Sequence, residues 1–174
     1  MTPPHGPHGP RADLRAVGHF PTITRGNCAY PDPDAPAAAG GLPATACALT
    51  AAGARSLADL LPGDRVITRD GGIRTLRGLL PCPCGTQPMV RIPAGALGTG
   101  RPARDLHLPS GQRLLLRGWR AQALYGAAQA LVPAARLVEG RVIAWAPPGR
   151  APDLLMPCFE APHILYIEGL ELAT

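Results

Sequence analysis

A chain of 174 residues with a net charge of +5 is long enough to bury one hydrophobic core and short enough that one domain plus a tail uses it up. Its 21 glycines and 22 prolines argue against long helices, and no apolar run reaches the roughly 18 residues that a membrane-crossing helix needs. All basic residues are arginines, scattered without a dense basic run, and two Trp, three Tyr and two Phe are too few for a base-stacking platform.

The start, Met1-Thr2-Pro3-Pro4, lacks the apolar stretch of a secretory signal, so the expected location is the cytoplasm with reduced thiols, non-classical secretion staying open. Residues 1–40 read as a flexible leader rich in Pro, Gly and Ala, because proline removes backbone donors and glycine costs ordering entropy. One patch in it, 17–24, has the composition of an edge strand. Residues 41–174 read as the folded domain. A strand over 46–50, a turn at 51–53 and a returning strand over 54–57 form the first hairpin. Leu57, Leu60 and Leu61 sit at helical spacing, so one helical turn follows and Pro62 stops it. A strand over 65–69 ends in Asp70-Gly71-Gly72, a strong turn signal. Further strands are predicted over 73–76, 89–92, 106–108, 112–117, 131–133, 142–145, 154–156 and 163–167, with a short helical turn at 134–138 ended by Gly140. Many short strands and no long amphipathic helix give an all-β fold class. Trp119 and Trp145 are the expected aromatic anchors of the core.

Several stretches match one family in order. Residues 57–72, with Pro62-Gly63-Asp64 leading into a strand, resemble the segment after the first hairpin of hedgehog/intein (Hint) domains. Residues 93–98, 101–106, 115–120 and 130–138 resemble the bacterial group often called Hint type 2. Residues 161–170, with His163 ahead of an apolar run and Glu168-Gly169, resemble the family's closing strand. The resemblance covers about residues 41–170. It implies a pseudo-symmetric, horseshoe-like β fold that brings the two ends of the domain together at its active site.

The resemblance also implies a chemistry. Hint self-processing starts when a Cys or Ser at the first domain residue attacks the carbonyl just upstream, and an internal His protonates the departing amide nitrogen. A second His near the end assists the later cleavage step. Ungapped registration on Pro62-Gly63-Asp64 puts the nucleophile position on Gly41, which has no side chain. Registration on Asp105-Leu106 puts the internal His position on Gln112, whose amide is no acid near neutral pH. The terminal His position falls on His163. Ser110 stands one place from the motif's hydroxyl, and no Asn occurs near the C-terminal end.

The resulting expectation is a Hint domain defective in self-processing, with no enzyme activity, kept as a structural or interaction module for an unidentified protein partner, monomeric, without cofactor or metal. The alternative is an active autoprocessing protein in which Cys28 makes the N-to-S acyl shift with His163, the stretch after Cys28 being an insertion. A third reading is an Arg-mediated nucleic-acid binder, since guanidinium forks match phosphate oxygens.

The remaining candidates have plainer explanations. Cys47 falls inside the first strand as a small apolar side chain. Cys82-Pro83-Cys84 lacks a second ligand pair at zinc spacing and reads as a loop with free thiols. His5 and His8 lie in the leader, and His107 alternates with Leu106 and Leu108 on a strand. Asp64 and Asp105 read as residues that bond backbone at turns.

Overall fold

The computed structural model describes residues 40–82, 88–147, 149 and 152–174. The 17–24 patch, Cys28, His5, His8 and Cys84 lie outside the described residues.

Fourteen strands follow one another from residue 42 to residue 173. The first six are β1 (Leu42–Pro43), β2 (Cys47–Thr50), β3 (Gly53–Ser56), β4 (Arg65–Thr68), β5 (Gly72–Thr75) and β6 (Gly78–Cys82). Next come β7 (Met89–Ile92), β8 (Leu106–Pro109) and β9 (Arg113–Arg117), then the one α-helix among the described residues, α1 (Trp119–Tyr125). The chain ends with β10 (Gln129–Pro133), β11 (Ala144–Trp145), β12 (Leu154–Cys158), β13 (Ile164–Ile167) and β14 (Leu170–Ala173). Two 3-10 turns, Leu57–Asp59 and Ala134–Leu137, occupy the places where short helical turns are expected.

The strands form three sheets. The largest runs β10-β9-β14-β13-β2-β4-β5, with β3 paired to β2; the others are β1-β12-β6 and β11-β7-β8. Period-two alternation decides which side chains face inward. In β7 Val90 and Ile92 are buried while Arg91 is exposed, and in β9 Leu114 and Leu116 are buried between exposed Arg113 and Arg117. Leu42, Leu57, Val66, Leu108, Leu165 and Leu172 join in one core drawn from all three sheets.

Four features differ from the sequence expectation. Trp119 and Trp145 are 74% and 50% exposed, so neither anchors the core. Aliphatic side chains fill it, and the aromatic prior fails because the short helix carrying Trp119 buries only Ala121. Residues 78–82, to which the sequence reading assigns no strand and whose Cys82 it places in a loop, form β6. This is an edge strand, and Pro81 stands opposite Leu155 where a missing N–H costs least. The helix α1 lies between Gly118 and Gly126, both with φ of 67°, the second being a left-handed cap. Finally, the closing segment is a hairpin. Glu168 (φ 50°) and Gly169 (φ 79°) make a two-residue turn, and β14 returns antiparallel with Ile167 opposite Leu170.

Candidate self-processing site

Gln112 ends the turn between β8 and β9, where its own N–H bonds to the Pro109 carbonyl. Its side chain is 1% exposed and reaches across the fold's two ends. Oε1 accepts the Gly41 N–H at 2.8 Å, just before β1. Nε2 donates to the Ala173 carbonyl at 2.7 Å, at the end of β14, and to the Arg113 carbonyl at 3.0 Å. The chemistry of the partners orients the amide: an N–H on one side demands the oxygen there, and two carbonyls on the other demand the NH2. Both of the NH2 donors are thus spent on backbone acceptors.

Glycine is also a packing requirement on this side. A Cβ added to Gly40 would fall 2.7 Å from Gln112 Oε1, and one added to Gly41 would fall 3.2 Å from the Leu154 Cβ. The same Gly41 position lies 3.4 Å from the Cys82 Sγ, a buried thiol at the end of β6.

His163 precedes β13. Its backbone N–H donates to the Thr174 Oγ1 at 3.0 Å and its carbonyl accepts the Thr174 N–H at 2.9 Å, so it pairs with the residue next to Ala173. Its ring meets Asp70 (Nδ1 to Oδ2, 3.1 Å) and the edge of Phe159. Asp70 also accepts the Ile164 N–H at 2.9 Å. Burial raises the Asp70 pKa, but the Ile164 N–H and the His163 ring outweigh it and hold the carboxyl below its ordinary value. The turn signal Asp70-Gly71-Gly72 thus contains the side chain that orients His163, a partnership that sequence alone does not reveal because the two lie 93 residues apart.

The other candidates fall elsewhere. Cys47 on β2 is half-buried; burial, then the Glu168 carboxylate, push its thiol pKa up against the opposing pull of Arg104. It has no part in the Gly41–Gln112 contact. Glu168 carries more of the fold than its turn position suggests, since its buried carboxylate accepts the Cys47 N–H at 2.7 Å and pairs with Arg104. Asp64 accepts the Leu61 N–H, and Asp105 accepts the Ala94 N–H and pairs with Arg91, so both bond backbone at turns. Ser110 offers its carbonyl to Ala135 N–H. Among the described residues no group of His, Cys, Asp and Glu is arranged to hold a metal ion.

In this mostly β chain, residues 41 and 173 meet on the side chain of Gln112. A family model for the Hint domain matches residues 43–174, and the chain belongs to that family. Its all-β Hint fold is the one the sequence motifs imply. Among solved structures, the crystal structure of the MchDnaB-1 intein is similar, at 13% identity and a TM-score of 0.42, over 76% of this chain and 98% of that one. No curated protein matches. No helix of the described residues is long and apolar enough to cross a membrane.

Proposed function

We propose that this Hint domain is defective in self-processing and acts as a structural or interaction module for a protein partner, as a cytoplasmic monomer without cofactor. The observation that carries this reading is the hydrogen bond from the Gly41 N–H to Gln112 Oε1. An acyl shift at this peptide needs two things: a side-chain sulfur or oxygen on residue 41, and a proton for the leaving nitrogen. Gly41 supplies no sulfur or oxygen. Gln112 presents an oxygen to that nitrogen, has both donors committed elsewhere, and does not titrate. The nucleophile and acid positions that the family motifs imply thus hold a residue without a side chain and an amide that does not titrate.

A second reading rests on Cys82, whose Sγ lies 3.4 Å from the place a Gly41 side chain would start. In that reading the thiol attacks the Gly40 carbonyl, a thioester forms on Cys82, and the Gly41 amine departs with a proton. It ranks second because Gln112 cannot give the proton. Nucleic-acid binding is weakened by the ion pairs of Arg55, Arg69, Arg77, Arg91, Arg104 and Arg117 with carboxylates.

Intact mass spectrometry of the expressed chain, with and without added thiol or hydroxylamine, tests the proposal. One full-length species under every condition is expected. Fragments that vanish in Cys82→Ala support the second reading, and fragments that vanish in Cys28→Ala support the acyl shift from the leader; either result overturns the proposal.

A further inference from the structure

We propose that the recess beside β9 and β14 binds a small organic oxyanion, a carboxylate or phosphate carried on a short apolar body. The recess has a volume of about 260 Å³. Leu97, Leu114, Leu116 and Leu170 give it apolar walls, and Arg101, Arg117, Arg120 and Glu171 supply its charges. Glu171 is buried and already holds Arg117 at 3.1 Å and Arg69 at 3.5 Å. Neither Arg101 nor Arg120 enters an ion pair among the described residues. The walls therefore carry more positive than negative charge.

Arg120 lines the recess with a side chain that is only partly paired. Its Nη1 is shut off from solvent and has no hydrogen-bond partner among the described residues. The guanidinium is held in place from one side by Trp119, whose ring centroid lies 5.2 Å from Cζ. A buried charged donor left unpaired is costly, and such groups are found paired or hydrogen-bonded in folded proteins. Arg101 and Arg120 both line the recess, and guanidinium groups match the oxygens of a carboxylate or phosphate. The volume sits just below the range of drug-sized ligand sites, which limits the occupant to a small molecule. The leucines favour one with an apolar portion over a bare inorganic ion. The recess is separate from the Gly41–Gln112 contact, so this inference stands whether or not the domain cleaves itself.

Thermal unfolding with phenyl phosphate, benzoate, inorganic phosphate and chloride at matched ionic strength tests the site. A saturable rise in Tm with phenyl phosphate or benzoate, and little with chloride, is expected. The stronger of the two identifies the oxyanion, and a rise with inorganic phosphate alone refutes the apolar body. Arg120→Met should weaken the binding at least tenfold while leaving the ligand-free Tm equal or higher, because the variant removes an uncompensated charge. A structural role for Arg120 would instead lower that Tm. Arg101→Ala should also weaken binding, and Arg65→Ala, remote from the recess, should not. No saturable shift up to about 10 mM ligand, weaker than any Kd near 1 mM, or equal shifts in wild type and Arg120→Met, overturns the proposal.

Discussion

Replacing Gln112 with methionine keeps the length of a buried side chain and deletes its amide. Three hydrogen bonds go, those with the Gly41 N–H and with the Ala173 and Arg113 carbonyls. The bond to the Arg113 carbonyl is part-buried, so losing it costs less than losing the two buried ones. Gly41 and Ala173 are buried, and their groups are stranded. At about 1–3 kcal/mol for each buried group without a partner, the two together cost about 2–6 kcal/mol. The thioether's greater apolarity returns about 1 kcal/mol of that. In a chain of this size each kcal/mol lowers Tm by about 2–4 °C, so a fall of several degrees is expected. Urea unfolding followed by far-UV circular dichroism reads the loss as a lower midpoint at unchanged slope. Amide exchange at Gly41 should speed up in parallel, because its N–H loses its acceptor. A change under about 0.5 kcal/mol, the size of an ordinary surface substitution, with Gly41 exchange unaltered, would refute the idea that Gln112 clamps the two ends of the domain.

Gly40→Ala should destabilise by about 1–2 kcal/mol through overpacking against Gln112 Oε1, and by clearly less in the Gln112→Met background, since neighbouring sites are not additive; the same unfolding assay measures both. Asp70 is held below its ordinary pKa of 3.8 in the folded state, so its contribution is present above that value and lost as pH falls through the folded value. The stability gap between wild type and Asp70→Asn should therefore narrow as pH is lowered from about 5 to below 3, and a gap constant with pH contradicts this. Cys47, its thiol raised by burial and by Glu168, should react with iodoacetamide more slowly at neutral pH than a free cysteine does, and an equal or faster rate contradicts that assignment.

The strand pattern was largely legible because alternation and turn chemistry are local. The hairpin at 47–56 and the turn at Asp70-Gly71-Gly72 follow from a few adjacent residues. The Gly41–Gln112 contact was approachable only through the family motifs, since 71 residues separate the pair and nothing local links them. Other features escaped because their cause is tertiary. Pro81 is tolerated in β6 only because that strand lies at a sheet edge, and β14 is buried throughout because β13 and β9 flank it. Trp119 misleads because a large aromatic ring usually buries itself, whereas here it sits on the outer face of a seven-residue helix, stacked by Arg120. Glu168 looks like a turn residue, and its carboxylate's hold on Cys47 and Arg104 depends on strands distant in sequence.

The central claim is that two side chains, at positions 41 and 112, separate this domain from an acyl shift. Intact mass spectrometry of wild type beside the Gly41→Cys/Gln112→His double variant, each incubated with thiol, puts that claim to the test. The account predicts an intact wild type, and a double variant that releases residues 1–40 once Leu154 gives the few tenths of an ångström that a Cβ at residue 41 requires. Thiol-dependent fragments from the wild type, cut ahead of residue 41, would contradict it.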